Sequence, residues 1–211
     1  MNVDGTKNVL ESCEKNHVKK LIVASSAAVY GEGNQDVNLT EETKMNPISP
    51  YGESKVMMEK IIRQWKSSYD FNYVILRFFN IYGIGQSSEY AGVITKCLEK
   101  IKQKKPIEIF GDGLQTRDFV AIGDVINAIH NAMQSNNSGI YNIASGKIIT
   151  INELVNKMIV LFGKKLEIKH ISAKKGEIRY SHADISKAKK EIGFTPKINI
   201  DGIKELLEKI N

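Results

Sequence analysis

Apolar residues recur at helix and strand periods along nearly the whole chain, and the pattern predicts most of its elements. Val9, Leu10 and Cys13 mark the inner face of a helix over residues 4–16, and Leu21-Ile22-Val23-Ala24 forms the centre of a buried strand over 18–24 that stops at Ser25-Ser26. Residues 31–50 carry Gly, Asn, Asp, Thr and Pro without an apolar period and read as a loop. A helix follows from Tyr51, with Met57, Ile61 and Trp65 on one row, Met58 and Ile62 on the next, and Glu59, Lys60, Arg63 and Lys66 turned away. Residues 73–77 predict a second buried strand. Strand, helix, strand at this spacing implies a parallel sheet with crossover helices, in which ligands gather at the carboxyl ends of the strands.

Beyond Gly83 the spacing of Val93, Ile94, Cys97, Leu98 and Ile101 predicts an amphipathic helix, followed by a short strand over 107–110 and the turn Gly111-Asp112-Gly113. A helix from about Asp124 is expected to turn Val125, Ile126, Ile129, Ala132 and Met133 inward, and residues 140–143 predict a strand. Thr150 and Glu153 have capping-box spacing ahead of Leu154, Val155, Met158 and Ile159. A short helix over 184–192 is stopped by Gly193, and Ile203, Leu206, Leu207 and Ile210 predict a last one.

With 211 residues and 42% hydrophobic positions the chain suffices for one large domain or two small ones. Its net charge of +6 is scattered over helix ends and loops, with no basic run interleaved with aromatics, so no nucleic-acid partner is expected. A mildly positive protein suits an anionic small ligand such as a nucleotide diphosphate. Cys13 and Cys97 fall on apolar stripes and read as buried thiols, and the four histidines form no ligand cluster, so no metal is expected. No apolar run reaches the roughly 18 residues of a membrane span and the start has no signal-peptide pattern, which together predict no membrane partner and a cytoplasmic location.

The chemistry concentrates in Ser49-Pro50-Tyr51-Gly52-Glu53-Ser54-Lys55. On a helix, Tyr51 and Lys55 share a face one turn apart. A free phenol, with a pKa of about 10, is a poor base near neutrality, but a fixed cation beside it favours the phenolate. Such a tyrosine can take a proton from a substrate hydroxyl.

Five segments occur in order: Ser25-Ser26-Ala27-Ala28-Val29-Tyr30-Gly31, the Tyr51–Lys55 stretch, Arg77-Phe78-Phe79-Asn80-Ile81-Tyr82-Gly83, Gly111-Asp112-Gly113 with Thr116-Arg117-Asp118-Phe119, and Tyr141-Asn142-Ile143-Ala144-Ser145-Gly146, with Ala183-Asp184-Ile185 near the end. Together they resemble the extended short-chain dehydrogenase/reductase family, in its NAD-dependent epimerase/dehydratase branch and nearest to UDP-glucose 4-epimerases. The resemblance implies an α/β fold: a partial doubly wound, Rossmann-type parallel sheet lacking its first strands, over 1–83 and 119–145. A smaller mixed α/β substrate-binding domain would span 84–118 and 146–211. It implies NAD as cofactor, a nucleotide-diphosphate sugar as substrate, and a homodimer or a complementing N-terminal fragment as protein partner. Carried over by position, Tyr51 is the catalytic base, Lys55 lowers its pKa and holds the nicotinamide ribose, and Ser26 hydrogen-bonds the sugar hydroxyl. Ala24, Ser25 and Phe78 line the nicotinamide, and Asn2 contacts the cofactor. Asn80, the backbone near Val93, Arg117, Lys174 and Glu177 bind the nucleotide sugar, a guanidinium fork being suited to phosphate oxygens.

Two departures stand out. The family's Arg-x-Gly-Asp reads here Lys174-Lys175-Gly176-Glu177, which replaces a bidentate phosphate contact by a point charge. The Gly-rich strand-to-helix turn that seats a dinucleotide pyrophosphate is absent, and Gly31-Glu32-Gly33, Gly83-Ile84-Gly85 and Gly111-Asp112-Gly113 each lack the third glycine. Against the family pattern the chain begins about 90 residues into the fold, which predicts an exposed apolar edge at residues 21–24 and weak dinucleotide binding by this chain alone. Family dehydratases commonly carry a carboxyl where this chain has Ala27 and Ala28. Without one, elimination lacks its proton shuttle, so oxidation and re-reduction at the sugar C4 is favoured. The other readings are a dehydratase, decarboxylase or reductase of the same family, or a non-catalytic member.

Overall fold

The structure, a computed structural model, describes residues 2–83, 86, 92–173, 176–198 and 203. Helix α1 (Asn2–Lys15) leads into strand β1 (Lys20–Ser26), which ends in a 3-10 turn, Ala27–Val29. After a long loop come α2 (Pro50–Lys66), β2 (Asn72–Phe78), β3 (Asn80–Tyr82), α3 (Val93–Lys102), β4 (Ile107–Phe110) and β5 (Thr116–Ala121). The order continues with α4 (Ile122–Gln134), β6 (Gly139–Ile143), β7 (Ile148–Thr150), α5 (Ile151–Leu161), β8 (Ile168–Ile171) and α6 (Ser186–Ile192).

The main sheet runs β1-β2-β6, with every pair parallel. Strand β2 is covered on both faces. Val74 and Leu76 pack with Val125, Ala128 and Ala132 of α4, while Ile75 packs with Leu10 of α1 and Met58 and Ile62 of α2. Burial on both sides is why this segment reads as an unbroken apolar run instead of an alternating one. Helices on both faces of a parallel sheet make the arrangement doubly wound α/β. Strand β1 lies at the sheet edge, with Leu21, Ile22 and Val23 only half-buried and Ala24 exposed, as the apolar-edge expectation requires.

A separate apolar cluster joins α3, β4, β5 and α5 through Ile94, Leu98, Ile107, Phe119, Leu154 and Met158, and buried Ile203 packs into it. Around it, β5 pairs parallel with β3 and antiparallel with β7, and β4 pairs with β8. The capping box at Thr150 and Glu153 is formed in full, and Gly193 ends α6 at φ 65°. Both cysteines are buried thiols. Among the described residues no helix is long and apolar enough to cross a membrane, and no group of side chains has metal-ligand geometry.

Several side chains face differently from the periodicity reading. On α4 the buried stripe is Val125, Ala128 and Ala132, so Ile126 and Met133, each about 100° further round, are exposed. Small alanines let this helix lie close to the sheet and leave its flanks in the open. Val9 and Met57 are exposed for the same reason beside buried Leu10 and Met58. The largest correction is Glu59, expected to turn away and in fact buried. Leu206, Leu207 and Ile210 lie outside the described residues.

Candidate active site

Local rules build the opening of α2. Ser49 caps the helix, its hydroxyl accepting from Gly52 N at 3.1 Å, and Pro50 sits in the first turn, where a missing N–H costs nothing. Gly52 rests against the turn that ends β1: a Cβ there would lie 2.5 Å from Ala28 O. Only glycine lets the helix start this close to the strand end. The two residues flanking that contact point are Tyr51 and, one turn on, Lys55.

Lys55 Nζ donates to Ala24 O at 2.8 Å and stands 5.8 Å from the centroid of the Tyr51 ring. Burial pulls the Lys55 pKa below its ordinary value, against the opposing pull of the Glu59 charge. Tyr51 is 53% exposed, open to a ligand at the rim. Asn2 Nδ2 donates to Ser54 Oγ at 2.9 Å, and Ser54 Oγ donates to Tyr51 O at 2.7 Å, so α1 braces the same helix turn. Ser26 Oγ accepts from Ala28 N at 3.2 Å.

Three depressions meet at this rim. Ser26, Ala27, Ala28, Phe78, Asn80 and Arg117 line a pocket of about 360 Å³. Ala24 and Phe78 line an apolar groove of about 480 Å³ with Ile22, Val23 and Met133 on the open side of β1. Asn80, Val93, Arg117 and Glu177 line a cavity of about 570 Å³. Phe78 lines the first two, and Asn80, Arg117 and Glu177 line both the first and the third. Arg117 is largely buried; desolvation lowers its pKa while Glu177 and Glu32 pull the other way. Its Nη1 donates to Thr116 O at 2.8 Å, and its Nη2 lies 3.6 Å from Glu177 Oε1. Asn80 Nδ2 donates to Asp118 O at 3.1 Å.

A family model described as the NAD dependent epimerase/dehydratase family matches residues 1–144. The chain belongs to that family. A Methanocaldococcus jannaschii protein provisionally assigned as a UDP-glucose 4-epimerase is 40% identical over 98% of this chain and 68% of its own length. The solved UDP-glucose 4-epimerase of Thermotoga maritima, with UDP-glucose, superposes with a TM-score of 0.95 at 32% identity, over 99% of this chain and 69% of that one. A Bacillus anthracis dTDP-glucose 4,6-dehydratase in complex with NAD superposes with a TM-score of 0.91 at 30% identity, over 98% and 66%. The chain thus spans about two thirds of the length of the relatives it matches.

In this epimerase/dehydratase chain the residues singled out from the sequence fall into two groups on one rim. Tyr51, Lys55, Ala24 and Asn2 gather at the α2 opening, and Ser26, Phe78, Asn80, Val93, Arg117 and Glu177 line the depressions. Lys174 lies outside the described residues. Ser25 departs from the expected lining: its hydroxyl turns inward and donates to Glu59 Oε1 at 2.5 Å.

That contact opens onto a network the sequence reading missed. Arg77 Nε and Nη2 donate to the two Glu59 oxygens at 3.0 and 2.7 Å, and Arg77 Nη1 donates to Tyr30 OH at 2.8 Å. Tyr30 OH donates to Asn142 Oδ1 at 2.6 Å, tying β6 to the turn after β1. Burial alone would lower the Arg77 pKa, but the bonds from Glu59 and Tyr30 raise it above its ordinary value. Burial likewise pushes Tyr30 up to about 12. One signal pointed here: an arginine inside the apolar run Val74-Ile75-Leu76-Arg77-Phe78 needs a buried partner, and Glu59 lies one turn after Lys55.

Proposed function

We propose that this chain is the catalytic and sugar-nucleotide-binding part of an NAD-dependent nucleotide-sugar epimerase acting at the sugar C4. The observation that carries the reading is the seat of Lys55: its ammonium is fixed by the Ala24 carbonyl beside the exposed Tyr51 ring, at a strand end whose next residues, Ser26 to Ala28, line a pocket shared with Arg117. The residues present fit the nicotinamide ribose end of a dinucleotide, with a cation, a strand-end carbonyl and an apolar groove bounded by Ala24 and Phe78. Among the described residues no strand-to-helix transition carries a Gly-x-Gly-x-x-Gly turn for the pyrophosphate.

When bound, NAD supplies the acceptor and then the donor of the hydride. The chain's own residues do the rest. The Tyr51 oxygen takes the proton of the C4 hydroxyl and later returns one, with the Lys55 ammonium 5.8 Å from its ring centroid during that exchange. Ser26 holds the reacting hydroxyl by hydrogen bond. Arg117 grips the diphosphate, leaving the sugar able to present either face of its C4 ketone. Ala27 and Ala28 line the pocket at the two positions where a dehydratase commonly carries a carboxyl, and the lack of one there favours epimerisation over loss of water.

The test is interconversion of UDP-glucose and UDP-galactose by the purified chain in excess NAD. Tyr51→Phe is expected to lower the rate by about 10²- to 10⁴-fold, the usual worth of a positioned acid-base group. A dehydrated keto-sugar as product, no conversion by the unmodified chain even when a Gly-rich N-terminal fragment of a relative is added in trans, or full activity in Tyr51→Phe would each overturn the reading.

A further inference from the structure

We propose that Glu177 is an internal counter-ion of Arg117, occupying the guanidinium in the free protein and giving way to an incoming diphosphate, so that this carboxylate sets how tightly nucleoside diphosphates bind. The inference rests on the reading of the Arg117 cavity as the diphosphate seat.

The geometry of the pair is what distinguishes it. Arg117 Nη2 and Glu177 Oε1 are 3.6 Å apart, within Coulomb reach but beyond a hydrogen bond, and their side chains are 13% and 28% exposed. By contrast, Arg179 grips Asp112 through two bonds at 2.8 and 3.1 Å. Arg117 is anchored through its other nitrogen, Nη1, to Thr116 O, so Nη2 can change partner without the side chain moving. Glu177 is held loosely from behind, its Oε1 accepting from Gln115 Nε2 at 3.3 Å. A largely buried guanidinium with no anion beside it would be costly, and the carboxylate offsets that cost until a ligand does.

The strand of chain that carries Glu177 does not depend on this contact for its place. The Glu32 carboxylate accepts from Arg179 N and Tyr180 N at 2.8 Å each, and Gly33 N donates to Tyr180 O at 3.0 Å. Thr116 N donates to Arg179 O at 2.9 Å on the opposite side. Glu177 can therefore swing away from Arg117 while the segment stays pinned at Arg179 and Tyr180. Among the described residues the other charges near the cavity are Lys96 and Lys100, the latter 3.7 Å from Glu108, and Glu32, whose charge also reaches Arg117. A diphosphate gains the guanidinium fork and displaces one carboxylate, an exchange of one anion for a more strongly paired one.

The experiment is calorimetric titration of the whole chain with inorganic pyrophosphate and with UDP, using the unmodified protein, Glu177→Gln, Arg117→Gln and the double variant. Glu177→Gln keeps the acceptor for Gln115 and removes the charge. It is expected to tighten pyrophosphate binding roughly three- to tenfold, the range of a partly exposed ion pair, with no such gain in the Arg117→Gln background. Glu177→Asp, which keeps the charge, should lack the gain. Weaker or unchanged pyrophosphate binding in Glu177→Gln, while Arg117→Gln still abolishes binding to the unmodified site, would overturn the counter-ion role and leave the cavity reading intact. No binding of either probe to the unmodified protein, or binding indifferent to Arg117→Gln, would overturn the cavity reading and the inference together. Loss of UDP but not pyrophosphate binding in Glu177→Gln would mark the carboxylate as a sugar ligand instead and also overturn the proposal.

Discussion

Two arginine–glutamate pairs occupy the two halves of the site, and they are built to opposite ends. Arg77 and Glu59 lie under the Tyr51–Lys55 rim, 2% and 1% exposed, joined at 2.7 Å and extended by Ser25, Tyr30 and Asn142 into a closed network. Arg117 and Glu177 lie in the cavity wall at 3.6 Å with one guanidinium nitrogen in reserve. Hydrogen bonds raise the pKa of the first arginine, and burial lowers that of the second. A pair whose polar atoms are all bonded fixes backbone; a pair held only by charge can be traded for a ligand. The first holds β1, β2 and α2 in the register that places Lys55 against the Ala24 carbonyl, and the second lines the cavity shared with Asn80 and Val93.

The sharpest way to break the contrast is to remove the buried partner. Glu59→Ala leaves the Arg77 guanidinium uncompensated in the core and is expected to cost about 3–5 kcal/mol of stability by urea unfolding. Arg117→Met, in the looser pair, should change stability by less than about 1 kcal/mol while removing UDP binding, which equal losses in the two variants would contradict. Gly52→Ala tests the rim's geometry: its Cβ would press on Ala28 O, so epimerase turnover should fall at least about tenfold while UDP affinity, set across the cavity, stays near its original value.

A smaller effect concerns the segment that carries Glu177. Hydrogen bonds from Arg179, with the Leu114 amide, lower the Asp112 pKa to about 2. A carboxylate depressed in this way stabilises the fold above its unfolded value near 3.9 and loses that contribution as the pH falls toward 2. Amide protection factors at residues 176–182, taken relative to the intrinsic exchange rate at each pH, should therefore fall between about pH 4 and 2, and Asp112→Asn should flatten that dependence, though only slightly because the pair is exposed. Smallest of all, burial pushes the Cys97 thiol up to about 12, so at pH 8 it should resist alkylation until the chain is unfolded.

Much of the site was legible because its signals are local. Tyr51 and Lys55 share a helix face whatever the rest of the chain does, the Ser49-Pro50 start specifies where that helix opens, and the apolar runs at 21–24 and 74–76 require a covered parallel sheet. Ala27 and Ala28 narrowed the chemistry by lacking a carboxyl. The partners of Arg77 and Arg117 were not legible in the same way, because they are 18 and 60 residues away along the chain and only packing decides which carboxylate meets which guanidinium.

Glu59 shows the division most clearly. Helical periodicity treats a glutamate amid lysines and arginines as solvent-facing, since period alone cannot tell a solvated charge from a paired one. Sequence by itself therefore determined the order of the helices and of β1, β2, β4 and β6, the parallel main sheet and the helix that carries Tyr51 and Lys55, all of which follow from spacing and capping along a few consecutive turns, while the short strands β3, β5, β7 and β8 were not marked by any such period. The tertiary structure alone decided the inward turn of Ser25, the buried Glu59–Arg77 pair and the loose Arg117–Glu177 contact. Those depend on how far apart separate elements come to rest, and the energy of a charge pair changes most steeply over the last few ångströms of that distance.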